Sequence, residues 1–280
     1  MTAEEFLQED KLVSAIDAIG ASLKKEPANL HNRTLLFELL CFSGDLSRAG
    51  KQLDVLAGGD ADATIAVQRY QNAIEGEKMR RRIFSEGLVP ASLVPASIIS
   101  NPPYLEMHVQ AMQRVRIGDS AGALALLEEA EALRPTLDGT ANGEPFSDWK
   151  DANDLIGPFL EIIHGNAYAW LPWETIRSID IEPPQHLRDL AFLPAKIELH
   201  SGPALGEVFI PVLYCGSSEQ PDDRLKLGRV TEWRTDLQGL AVGWGQRMFA
   251  TDARDWDLLE IRSLEFSRPE LSNGDDTHAR

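Results

Sequence analysis

Residues 104–135 read YLEMHVQAMQRVRIGDSAGALALLEEAEALRP. Two apolar-periodic segments meet at Gly118-Asp119, and Pro135 closes the second. Glycine ends a helix by turning left-handed, and aspartate caps the next one by accepting its free N–H groups. Proline stops a helix because it has no N–H to give. The stretch therefore predicts two antiparallel helices joined by a tight turn. Working outward, Ala123 has counterparts at Ala49 and Ala15, the latter two 34 residues apart. Gly44-Asp45 precedes Ala49 as Gly118-Asp119 precedes Ala123. Ile19, Leu53 and Leu127 follow the three alanines by one helical turn, and Pro27 stands where Pro135 does. A small residue in a fixed column lets two helices approach closely, and the period is that of tetratricopeptide repeats. The alternative is an ordinary helical bundle in which the alanine column carries no repeat.

The repeat reading gives a truncated first unit, a second from Leu30 to about Leu56 and a third from Tyr104 to Pro135. Thr2-Ala3-Glu4-Glu5 is a capping-box signature at the first helix. A lone helix over about 61–84 and a Pro-rich connector separate the second and third units. Such repeats expose a groove lined by their first helices, suited to a peptide or helix. In the third unit the groove stripe is Leu105, His108, Met112 and Arg116; in the second it is His31, Thr34, Glu38 and Phe42. The spacing puts each set on one helix face. The competing reading packs this stripe against the chain's own remainder. The one basic run, Lys78 to Arg82, is either a solvated face or a landing site for an acidic partner helix.

After Pro135 the pattern changes. TLDGTANGEPFSDW (136–149) is rich in turn formers and reads as a linker or entry loop. Short apolar runs then follow, bounded by Gly and Pro. They predict strands at 159–164, 167–171, 195–200, 206–214, 228–234, 240–249 and 258–266, with helical turns at 173–178 and 186–190. Many short strands predict a strongly bent, barrel-like sheet. The expected organisation is a tetratricopeptide-like α-α superhelix over 1–137, a barrel-like β domain over 138–268 and a flexible tail over 269–280.

Composition narrows the function. The net charge is −17, with −6 in residues 1–140 and −11 in 141–280. Phosphate backbones and anionic membranes need clustered Lys and Arg, so neither nucleic acid nor a membrane surface is an expected partner. No run of apolar residues is long enough to span a bilayer. The first residues lack the apolar core of a secretory signal, and the two cysteines are too few for a disulfide framework, so a cytoplasmic setting is expected.

The best enzymatic candidate is Cys215, in PVLYCGSSEQPDDRLKLGRVTEWR (211–234). Nucleophilic cysteine needs a thiolate and a base in reach. His164, His186 and His200 share its half of the chain, but none sits in a catalytic signature. The plain reading is a small packing residue at a strand end. Gly216-Ser217-Ser218 is not a nucleophile elbow, and there is no phosphate-cradling glycine loop. The six histidines lack zinc-site spacing. Asp148, Asp151 and Asp154 lack the glycine and terminal glutamate of a calcium loop, and read as turn or capping residues. Arg188-Asp189 and Asp223-Arg224 read as loop braces. No catalytic residue, metal or cofactor is expected.

Taken in order, the C-terminal segments resemble the ImpE family, also called TagJ or SciE-type proteins. The matching stretches are Leu155-Ile-Gly-Pro-Phe-Leu-Glu161, Tyr168-Ala-Trp-Leu-Pro-Trp173, Leu187-Arg-Asp-Leu-Ala-Phe-Leu-Pro-Ala195 and Phe209-Ile-Pro-Val-Leu-Tyr214, followed by Leu227-Gly-Arg-Val-Thr-Glu-Trp233, Gly243-Trp-Gly-Gln-Arg247 and Leu259-Glu-Ile-Arg-Ser-Leu-Glu-Phe266. The Gly-Asp and alanine columns extend the likeness over nearly the whole chain. One departure is Leu155, where the family pattern leads one to expect arginine. The resemblance implies an α-superhelix followed by a barrel-like β domain. It implies a non-enzymatic accessory protein of bacterial type VI secretion systems, touching the N-terminal helix of the small contractile-sheath subunit and linked thereby to the ATPase that recycles sheaths. A generic repeat-type assembly scaffold and a Cys215-dependent hydrolase are the alternatives.

Overall fold

The computed structural model describes residues 1–58, 61–91, 101–202 and 204–268, with backbone alone at 61–63. The expected tail, 269–280, and most of the Pro-rich connector lie outside the described residues. Among the described residues seven helices come first: α1 (Ala3–Gln8), α2 (Leu12–Lys25), α3 (Leu30–Ser43), α4 (Leu46–Leu56), α5 (Ala61–Glu86), α6 (Tyr104–Arg116) and α7 (Ser120–Glu131). Their boundaries follow the sequence signals. Thr2 and Glu5 form the capping box at α1. Gly44 and Gly118 take φ of +80° and +82°, and Asp45 and Asp119 cap α4 and α7 by accepting from Arg48 N and Gly122 N. Ala15, Ala49 and Ala123 are all completely buried, each at the seam between paired helices.

The sheet elements are β1 (Gly139–Ala141), β2 (Glu144–Phe146), β3 (Trp149–Asp151), β4 (Phe159–His164), β5 (Ala167–Pro172), β6 (Ile176–Ile181), β7 (Phe192–Leu199), β8 (Gly206–Pro211), β9 (Thr231–Trp233), β10 (Gly243–Gly245), β11 (Met248–Thr251), β12 (Asp255–Asp257) and β13 (Ser263–Phe266), with a short helix α8 (Asp223–Lys226) before β9. The main sheet runs β2-β1-β13-β6-β7-β8-β4-β5, and every adjacent pair is antiparallel. Among the described residues two small sheets, β10-β9 and β12-β11-β3, accompany it.

The expected barrel is not formed: β2 and β5 are the two ends of an open sheet. The edge of β5 faces other company. Ala91, just beyond α5, makes a parallel bridge to Ala169, with Ala91 N donating to Tyr168 O at 3.4 Å. That bridge occupies the β5 edge at Ala169.

Other sequence expectations need correction too. Residues 136–149 are not a bare linker but hold the β1–β2 hairpin. Its turn is Asn142-Gly143, at φ +50° and +82°, the Asn-Gly pairing that two-residue hairpins favour. The helical turn over 173–178 is confined to Trp173–Thr175, because β6 begins at Ile176. The strand expected over 240–249 breaks into β10 and β11 at Gly245, whose φ of +92° no β-branched residue would tolerate.

The sheet is covered on both sides. Along β4, Phe159 and Ile163 face the helices, and Leu160 and Ile162 face an outer core. The same alternation puts Tyr168 and Trp170 of β5 inward and Ala169 and Leu171 outward. The inner core joins helical residues such as Leu39, Phe42 and Ile74 to sheet residues such as Phe159 and Phe209. It therefore crosses the boundary expected near 137/138, which falls between the end of α7 and the start of β1.

Candidate partner-binding cleft

The residues that position the site lie at the seam between α5 and the sheet. Helical spacing turns Ala73, Glu77, Arg80 and Ile83 inward, and all are buried. Gly76 brings the helix down onto β4: a Cβ there would lie 2.4 Å from Ile163 Cγ2. At that height the inward phase of β4 falls on Glu161, which is fully buried. Arg80 reaches it through Nε at 2.7 Å and Nη2 at 3.1 Å, and also donates to Leu213 O at 2.9 Å. Arg247, itself fully buried, donates to Glu161 from the other side and to Asp151 at 2.5 Å. Tyr168 also donates to Glu161, and Trp170 Nε1 donates to Tyr168 Oη at 2.6 Å. Glu77 bridges Arg80 (3.3 Å) and Arg81 (3.0 Å).

Burial would raise the Glu161 carboxyl, but the Arg80 and Arg247 guanidiniums outweigh it and hold it down at about 2. Burial wins at Asp151, pushed up to about 6 against the pull of Arg247. Two of the basic-run residues thus serve the chain's own fold: Arg80 is buried, and Arg81 donates to Gly44 O at 3.0 Å. Only Lys78, Met79 and Arg82 look outward, so the run is neither a solvated face throughout nor an open basic patch.

Beside this seam the two halves leave a cleft of about 530 Å³. Its helical wall carries Arg81, Phe84, Met112, Val115 and Arg116; its β wall carries Cys215, Glu219, Arg234, Val242 and Trp244. Arg234 is tied to Asp236 at 2.6 Å and lies over the Trp244 ring at 5.8 Å. Arg116 donates to Ser85 O at 3.5 Å and meets no carboxylate within ion-pair distance among the described residues.

The eight residues of the expected groove are divided. Arg116 reaches the cleft exposed, and Met112 lines it while itself buried. Glu38, Phe42 and His108 are buried against the chain's own remainder. Glu38 pairs with Arg188 at 2.8 Å, and His108 Nδ1 sits 3.0 Å from Leu155 O. Burial holds the His108 imidazole down at about 4, the Leu155 carbonyl working against it. Leu105 and Thr34 are half-buried, and His31 is exposed. The competing packing reading therefore accounts for the middle of the stripe. The sequence missed Phe84, Arg234 and Trp244, which meet only when the halves fold together.

Cys215 shares the cleft, but burial pushes its thiol up to about 12, Arg80 pulling back and Glu77 adding to the rise. No histidine lines the cleft beside it among the described residues. Asp148 pairs with Arg134 at 2.7 Å, Asp151 with Arg247, and Asp154 accepts from Ala241 N at 2.6 Å. Among the described residues no group of three or more such side chains is placed to hold a metal ion. The loop braces join the halves: Asp223 accepts from Leu12 N at 2.8 Å, capping α2 across 211 residues. Among the described residues no helix is long and apolar enough to cross a membrane.

A helical layer fused to an open antiparallel sheet, with a cleft at their junction, defines the class. The crystal structure of protein VPA1032 from Vibrio parahaemolyticus has this fold, with a TM-score of 0.84 at 21% identity over 95% of this chain and 97% of that one. The chain belongs to the ImpE family: the family's model, described as ImpE protein, matches residues 143–265. It is 39% identical over 267 residues to the type VI secretion system accessory component TagJ of Pseudomonas aeruginosa, across 95% of this chain and 91% of that protein.

Proposed function

We propose that this chain is a cytoplasmic, non-enzymatic accessory protein of a bacterial type VI secretion system. It binds the N-terminal helix of the small contractile-sheath subunit and so couples that subunit to the sheath-recycling ATPase. The observation that carries the reading is the near full-length likeness to TagJ, whose name states the accessory role. The cleft supports it, because an apolar floor flanked by arginines suits one face of a helix. In this reading residues 1–137 act as a tetratricopeptide-like α-α superhelix and 138–268 as the domain that closes one side of its groove. Arg116 contacts the partner over the buried Met112, with Leu105, Thr34 and His31 as the remaining open positions of the expected stripe. The high thiol pKa of Cys215 argues against the hydrolase alternative, since the thiolate is the nucleophile. Isothermal calorimetry of the full chain with the sheath subunit's N-terminal peptide tests the proposal. Saturable binding is expected, and no heat at high micromolar peptide overturns it.

A further inference from the structure

The cleft has a chemical preference of its own. The chain carries −17 overall, yet three arginines converge here: Arg81, Arg116 and Arg234. Two exposed carboxylates stand beside them, Glu219 in the lining and Asp236 against Arg234. Arg81 and Arg234 are already engaged, by Glu77 and Asp236. Arg116 is exposed and faces no carboxylate among the described residues. Between the arginines lie apolar groups that stay partly open: Phe84, Val115 and Trp244. Arg116 and Gln113 hold the end of α5 beside the cleft, through Ser85 O and Gly87 O. A cleft of about 530 Å³ takes a few side chains of one helix face and leaves the rest of that helix at the surface.

We infer that the cleft binds an acidic amphipathic helix. Two or three apolar side chains insert between Val115 and Trp244, and a flanking Glu or Asp pairs with Arg116. Charge complementarity at Arg116, which has no carboxylate partner among the described residues, selects this occupant: a planar guanidinium takes a carboxylate in a two-pronged bond. The inference rests on the adaptor reading above, for it names the chemistry of the helix which that reading brings to the cleft.

The test uses the full chain and two labelled peptides of about 18 residues, long enough to form an isolated helix. Both carry Leu and Phe at helical spacing; one has Glu on its flanks and the other Lys. Fluorescence anisotropy at near-physiological salt is expected to show roughly tenfold tighter binding of the Glu peptide. Arg116→Glu should remove that preference and transfer it to the Lys peptide. Val115→Asp should weaken both. Each variant is compared by circular dichroism first, and Arg116, being exposed, leaves the fold intact. Equal binding of the two peptides, or an Arg116→Glu variant that still prefers Glu, overturns the inference. The sheath peptide run on the same variants separates the two readings. Sheath binding that persists undiminished in Arg116→Glu sinks the cleft inference and leaves the adaptor role. A Glu-peptide preference without sheath binding sinks the sheath partner and leaves the cleft's chemistry standing.

Discussion

The two faces of the large sheet are covered by different chemistry. On the outer face Trp149, Trp173, Phe249, Phe146 and Phe266 pack ring against ring, at centroid separations of 5.0 to 6.1 Å. The inner face also packs rings, Phe159 on Trp170 and Tyr70 on Phe209, but it adds what the outer face lacks: a buried charge cluster of Glu161, Arg80, Arg247 and Asp151. An aromatic cluster tolerates small displacements, since dispersion acts between whichever atoms touch. A buried ion pair is a weak source of stability but is costly to break. The inner seam therefore penalises any placement of α5 other than the one that pairs every charge. That placement in turn shapes the cleft, because Arg81 and Phe84 lie on the next turn of the same helix.

Breaking the seam should have the largest effect. Glu161→Gln leaves two buried guanidiniums short of a carboxylate and should cost about 3–5 kcal/mol in chemical denaturation. Phe266→Ala on the outer face should cost a similar amount, as a cavity. The double variants tell the two faces apart. Glu161→Gln combined with Arg80→Met should cost less than the sum of its parts by about 0.5–3 kcal/mol, while Glu161→Gln with Phe266→Ala should add. Additivity in both pairs would refute the seam as a coupled unit.

Gly76→Ala comes next. The new methyl meets Ile163 of β4, and overpacking of this kind costs about 1–3 kcal/mol. The same substitution at Gly20, which faces open space, should do no harm.

The pH dependence separates the two carboxylates. Asp151 has a folded value raised to about 6, so it holds a proton in the folded chain at pH values where the unfolded chain has lost it. Its contribution falls as pH rises from about 4 to about 6, by up to about 1.4 kcal/mol per unit. Glu161 is depressed to about 2, so its contribution is present above its unfolded value near 4.5 and is lost as pH falls toward 2. Stability curves of Asp151→Asn should lack the upper slope and keep the lower one. An unchanged upper slope would assign it elsewhere.

The smallest stability effect is expected at the cleft mouth. Arg116→Glu should change the unfolding free energy by less than about 0.5 kcal/mol, although it alters partner choice. Cys215 should resist iodoacetamide at neutral pH in the folded chain and react once the chain is unfolded. Rapid modification of the folded chain would reopen the hydrolase alternative.

Much of the helical half was legible because its signals are local. Gly44-Asp45 and Gly118-Asp119 announce turns within four residues, and the alanine column needs only helical periodicity. The β half was less so. Asn142-Gly143 is a strong hairpin signal, and it was submerged in a stretch whose glycines and prolines suggested a loop. The segment Phe159–His164 reads plainly as a strand, but nothing within it says that Glu161 will be paired by arginines 81 residues before it and 86 after. The basic run misled for the same reason: a run of like charges looks solvated until the acids that face it are brought from elsewhere.

By itself the sequence determined where the helices turn, which strands alternate, the acidic balance and the family likeness, because each depends on neighbours along the chain. Tertiary structure alone decided that the sheet stays open, that Arg80 turns inward, and that Met112 and Arg116 meet Trp244 across a cleft. Those outcomes depend on groups far apart in sequence, whose burial is tolerable only when every charge between the layers finds its partner.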